Sequence, residues 1–132
     1  MQKILWLLVA ALALVACKED PPPTDWEVVS TQGKVRFVVI NKGDGLDKNI
    51  YRQAMPDICP KDSDCQALFW KKGDSIPSSV PLSDADFATL MAFYAVQTNP
   101  PQKNLRWNCQ RFSGVTQDIC LDKSFITGHV NP

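Results

Sequence analysis

Apolar and polar positions along the chain change period several times, and each change marks an element. A first strand is predicted at Trp26-Glu27-Val28-Val29, and the turn Thr31-Gln32-Gly33 leads to a second over Lys34 to Asn41. The unbroken apolar run from Phe37 to Ile40 gives both faces of that second strand something to bury, as in a strand near the middle of a sheet. Gly43-Asp44-Gly45 breaks it. Asp47 is placed to cap a short helix through about Met55, with Ile50, Tyr51, Ala54 and Met55 as its inner stripe, and Pro56 is expected to stop it. Cys65 to Lys71 predicts a third strand, ended by Gly73. Ser83 with Asp86 three residues on is close to a capping box, and Phe87, Leu90, Met91, Tyr94 and Ala95 repeat at helical spacing, which predicts a helix to about Gln97. Asn99-Pro100-Pro101 stops that pattern. Leu105, Trp107 and Cys109 then alternate with Arg106, Asn108 and Gln110 as a half-buried final strand. The order predicts a small two-layer α+β domain of about four strands, with two helices on one face.

The first residues follow another pattern. Lys3 precedes a dozen uncharged, mainly apolar residues from Ile4 to Val15, too short a run for the roughly 20 residues a bilayer span needs. The run ends at Leu14-Val15-Ala16-Cys17, which resembles the lipobox of bacterial lipoprotein precursors. That resemblance covers residues 1–17 only. It implies removal of residues 1–16 as a signal peptide and a lipid on Cys17, an effectively permanent membrane anchor. Lys18 in place of an aspartate implies, by the sorting rule of such lipoproteins, an outer-membrane destination facing the periplasm. Residues 17–25 then form a lipidated cysteine and a linker, where Pro21-Pro22-Pro23 favours an extended, semi-rigid chain. Residues 26–132 are expected to fold as a single globular domain, because 132 residues leave room for one compact core.

Charge and cysteines narrow the picture further. Removing residues 1–16 takes away Lys3 and no acid, so the balance of 14 basic and 14 acidic side chains becomes one charge negative. That balance argues against nucleic acid as a partner, since phosphate backbones are bound by clustered Lys and Arg. With Cys17 lipidated, Cys59, Cys65, Cys109 and Cys120 are left, an even number in an exported chain. They are expected to form disulfides. Three connectivities are open; Cys59–Cys65 and Cys109–Cys120 are preferred because each pair is close in sequence across turn-forming residues. A zinc site from the same thiols is the weaker alternative, since no paired knuckle spacing is present.

Catalytic chemistry finds little to build on. His129 is the single histidine and lies near the end of the chain, so the usual Ser/His/Asp triad and common zinc hydrolase sites are not assembled. Asp84 and Asp86 fall in the first turn of the predicted long helix, where negative charge suits the helix dipole. Asp62 and Asp64 fall inside the small Cys59–Cys65 loop. No cofactor or metal is implied. Phe69 and Trp70 are adjacent on a strand and must point to opposite faces, so one of them, with Lys71 and Lys72, is a candidate partner-binding surface if a face is open. If both faces are covered, both rings are core.

The reading is an envelope lipoprotein rather than an enzyme, a membrane-anchored module binding a protein partner in the periplasm. Two versions are an inhibitor or immunity-type protein and an accessory subunit of an envelope complex. The inhibitor version predicts an exposed Trp or Phe patch that inserts into a cleft. Two alternatives belong to other classes. A hydrolase using Asp44, Asp62 or Asp64 requires those carboxylates to converge in a pocket with a raised pKa. A small-ligand carrier requires a cavity lined by Tyr51, Phe69 and Tyr94.

Overall fold

A computed structural model describes residues 24–132 of the chain. Residues 1–16, Cys17 and the linker as far as Pro23 lie outside the described residues, as does the anchor expected there. The remainder is an α+β domain with five strands, three helices and two disulfides. In chain order these are β1 (Trp26–Gln32), β2 (Val35–Ile40), α1 (Lys48–Ile58), β3 (Cys65–Lys71), α2 (Asp84–Thr89), β4 (Ala92–Thr98), β5 (Pro101–Trp107) and α3 (Lys123–His129). A single helical turn, Gln117–Ile119, precedes α3.

The strands lie side by side in sequence order from β1 to β5. The pair β2–β3 is parallel, with Val35 opposite Gln66 and Ile40 opposite Lys71, and α1 is the crossover that a parallel pair requires. The other three pairs are antiparallel. Strand alternation builds two cores, one on each face of the sheet. Val38, Ile40, Ala67, Phe69, Tyr94 and Val96 pack with α1 on one face. Phe37, Leu68, Trp70, Phe93 and Ala95 pack on the other, where Leu90, Phe87, Ile126 and Phe125 of the α2 and α3 regions cover them. The helices are thus divided between the two faces instead of sharing one.

Local signals explain most of the elements. Asp47 caps α1 by accepting from the Asn49 N–H. Ile50, Tyr51, Ala54 and Met55 are its buried stripe, as the spacing predicts. The helix continues past the expected stop and contains Pro56 in its last turn. Proline removes one hydrogen bond to the Arg52 carbonyl, and both residues lie on the exposed side of the helix. Cys59 then closes the helix with its N–H on the Met55 carbonyl.

The segment after Ser83 departs most from expectation. The capping box is present, with Ser83 accepting from the Asp86 N–H and Asp86 accepting from the Ser83 N–H. The helix nevertheless ends at Thr89, and Met91, Tyr94 and Ala95 belong to a strand region. Leu90 to Val96 is an uninterrupted apolar run, every residue of it buried. Such a run contains the helical spacing by default. From Ala92 on it forms a strand, because β4 pairs with β3 on one side and β5 on the other, so its backbone is satisfied while both of its faces are covered. The last strand also begins earlier than expected, at Pro101, and α3 adds a helix near the C-terminus where none was predicted. Asp122 caps α3 by accepting from the Ser124 and Phe125 N–H groups.

Candidate functional site

Both preferred disulfides are formed, Cys59–Cys65 and Cys109–Cys120, each with Cα atoms 5.4 Å apart. All four thiols are used, so the zinc alternative falls. The first bridge is buried and ties the end of α1 to the start of β3. The second ties the end of β5 to the turn before α3.

The aromatic pair on β3 is corrected by the structure. Phe69 and Trp70 point to opposite faces, and because both faces are covered, both side chains are 0 % exposed. Neither ring is a contact surface. Phe69 packs edge-on against Tyr51, with ring centroids 5.6 Å apart. Trp70 stacks on Phe37 at 6.1 Å and donates its indole N–H to the Asp86 carbonyl at 3.1 Å, which fixes α2 against the sheet. Lys71 is half-buried against Gly45, and Lys72 is exposed in the turn after β3. Among the described residues the large apolar side chains that are exposed are Val28, Val29, Leu46 and Ile119, with no Trp or Phe. The inserting aromatic patch that the inhibitor version calls for is therefore missing from the described surface.

The carboxylates do not converge. Asp44 follows β2 and accepts from the Leu46 N–H, whereas Asp64 precedes β3 and accepts from the Thr98 N–H and hydroxyl. The parallel register puts these at opposite ends of the sheet, about 20 Å apart at the usual rise per strand residue. The two hydrogen bonds from Thr98 lower the Asp64 pKa, the opposite of a group poised as an acid. Asp64 and His129 do border one polar cleft, but Asp64 is engaged by Thr98 and the His129 Nδ1 lies 2.7 Å from the Phe125 carbonyl, its ring stacked on Phe125. Asp84 pairs with Lys123, which lowers its pKa. Tyr51, Phe69 and Tyr94 are core side chains packed together, and burial raises the pKa of both tyrosines. The Tyr51 hydroxyl donates to the Gly45 carbonyl at 2.7 Å. A ligand cavity lined by these three is not what the fold builds from them.

An open apolar cleft lies elsewhere. The loop between β3 and α2 crosses the second face, where the Val80 N–H donates to the Gln32 side chain at 2.7 Å. Between this loop and α3 is a cleft of about 280 Å³, bordered by Val80, Leu82, Phe87, Ile126 and Val130. Trp70 bears on it indirectly, since its bond to Asp86 sets the position of the helix that carries Phe87. The cleft is closed at one end by Pro132, whose backbone approaches Gly33 of the β1–β2 turn. Its rim carries Lys123, paired with Asp84. The sequence offered one weak signal for it, the apolar residues Val80 and Leu82 flanking Pro81 in a segment with turn composition. α3 supplies the other wall, and α3 was not predicted.

At the opposite end of the sheet the chain enters. The Asp25 carbonyl accepts from the Asn41 N–H at 2.8 Å, and Lys42 pairs with the Asp25 carboxylate at 3.6 Å. The turns after β2 and β3 lie at this end, together with the start of α1. No protein family, no curated protein and no solved structure matches this chain.

Proposed function

We propose that the chain is an envelope lipoprotein whose domain binds a periplasmic protein, as an accessory subunit of an envelope complex rather than an inhibitor. The observation that carries this reading is the apolar cleft between the β3–α2 loop and α3. About 280 Å³ bordered by Val80, Leu82, Phe87, Ile126 and Val130 suits one apolar anchor side chain of a partner, the kind of contact that dominates protein interfaces. Two features support the pairing of that cleft with a tether at Cys17. The chain enters at the end of the sheet opposite Pro132, so an anchor there leaves the Pro132 end of the cleft on the side away from the membrane. The Cys109–Cys120 disulfide just before α3 and the Trp70 bond to Asp86 of α2 help hold the cleft in place before a partner arrives, which lowers the ordering cost of binding.

The test is site-specific photocrosslinking in the native envelope. A crosslinking residue at Leu82 is expected to give a discrete protein adduct that is lost when Val130→Lys is added, while one at Gln102 on β5 gives none. Equal adducts at both positions, or none at Leu82, would overturn the reading. Mass spectrometry of the N-terminal peptide checks the tether separately, since a lipid-modified Cys17 is expected and an unmodified thiol refutes the anchor.

A further inference from the structure

The entry end of the sheet carries more positive charge than its local structure explains. Lys48 is the first residue of α1, a position where a cation opposes the helix dipole; α1 itself has no acidic residue in its first turn, and the N-cap Asp47 supplies the carboxylate there. Arg52 stands four residues on, a like-charge pair at the spacing where like charges repel. Both are held over the Trp107 ring, with Lys48 Nζ 5.7 Å and Arg52 Cζ 5.5 Å from its centroid. Lys48 also donates to the Ser113 carbonyl at 3.3 Å. Neither has a carboxylate partner among the described residues. They border one cleft of about 340 Å³ with Arg111, whose guanidinium is fixed from behind by Asp74 at 3.0 Å and the Thr89 carbonyl at 2.6 Å.

The nearby acids have other partners, though Asp44 and Asp47 keep their charge. Asp25 pairs with Lys42, and Asp44 and Asp47 accept from the Leu46 and Asn49 N–H groups. Lys71 and Lys72 belong to the same end, since Lys71 lies opposite Ile40 and the Lys72 N–H donates to the Ile40 carbonyl. Lys48, Arg52 and Lys72 make no ion pair among the described residues, which leaves their charged groups available to something outside the chain.

We propose that this end of the domain binds the phosphate groups of anionic lipid headgroups, with Lys48, Arg52 and Lys72 as the contacting cations. The proposal rests on the reading of Cys17 as the anchor. Its geometry follows from the chain: the eight residues 18–25 reach at most about 28 Å when fully extended, and they join the domain at this same end. A domain tethered there presents its unpaired cations to the headgroups within the short range over which an anionic surface attracts them. The apolar cleft shares no bordering residue with this surface and is left free.

The test uses the whole protein, purified from membranes and reconstituted into neutral phosphatidylcholine vesicles or into vesicles that also contain phosphatidylglycerol. Flotation is measured first, followed by amine acetylation of each lysine, read by mass spectrometry. Lys48 and Lys72 are expected to react several-fold more slowly on the anionic vesicles and to recover in roughly 0.5 M NaCl, where screening falls to a few Å. Lys103, on β5 at the other end, is the internal control and is expected to be unchanged. Arg52→Gln is expected to reduce the protection of Lys48. Equal rates for Lys48 and Lys72 on the two vesicle types overturn the headgroup site while leaving the tether intact. Flotation with anionic but not neutral vesicles keeps the headgroup site and removes the tether; flotation with neither removes both.

Discussion

Gly45→Ala tests the packing of the entry end, because the backbone there is set by one close approach. Gly45 has φ +76°, and a Cβ added to it would lie 2.5 Å from the Lys71 Cβ, against an ordinary contact distance of 3.4–4 Å. Placing alanine in the left-handed region costs about 1–2 kcal/mol. Relieving the overlap means moving the loop away from β3 by about 1 Å, an overpacking cost of about 1–3 kcal/mol. The lower entropy of the unfolded chain returns about 0.4–1 kcal/mol. The net expectation is a loss of about 2–4 kcal/mol. Gly43→Ala is the matched control: its φ is +64°, but nothing lies within 4 Å of the added Cβ, so only the conformational part remains, about 1 kcal/mol or less after the same offset. Guanidinium unfolding of the disulfide-intact protein measures both. A gap of about 2 kcal/mol between the variants is expected, roughly 10 °C in Tm for a domain of this size. Equal losses would refute the close approach of the loop to Lys71, and with it the placement of Asp47, Lys48 and the carbonyl that Tyr51 engages.

Acid sensitivity follows from Asp64 and Asp122, whose carboxylates accept hydrogen bonds from Thr98 and from Ser124 and Phe125 and have pKa values below the ordinary 3.8. A depressed folded pKa gives stability that is present above the unfolded value and is lost as pH falls through the folded one. The guanidinium midpoint is therefore expected to drop below about pH 4, and Asp64→Asn to flatten that dependence; an unchanged slope in the variant would show that Asp64 does not contribute. The two disulfides differ in setting. Chain entropy assigns each about 2–3 kcal/mol. The Cys59–Cys65 bridge is buried as well, so Cys59→Ala/Cys65→Ala is expected to destabilise more than Cys109→Ala/Cys120→Ala, although its loop is shorter; the reverse order in guanidinium unfolding would refute that burial.

Signals carried within a few residues were legible before any fold was known. Asp47 caps α1, Ser83 and Asp86 form the capping box of α2, β3 spans Cys65 to Lys71, and the cysteines pair with their near neighbours. Each depends on a hydrogen bond, an alternation or a loop closure between residues close in the chain. The misread segment, Leu90 to Val96, depends on distant residues. An apolar run satisfies the helical spacing and a buried strand equally well, and the choice fell to β3 and β5, which offer the backbone of β4 a partner on each side. The same holds for the candidate surface. Which of Phe69 and Trp70 would be exposed could not be read from β3, because the answer was set by helices on both faces; with α2 and α3 over one face and α1 over the other, neither is. The apolar cleft and the cationic end are likewise assembled from residues far apart in sequence. Val80 and Val130 border one cleft, and Lys48 and Arg111 the other, because the tertiary fold brings these distant segments together.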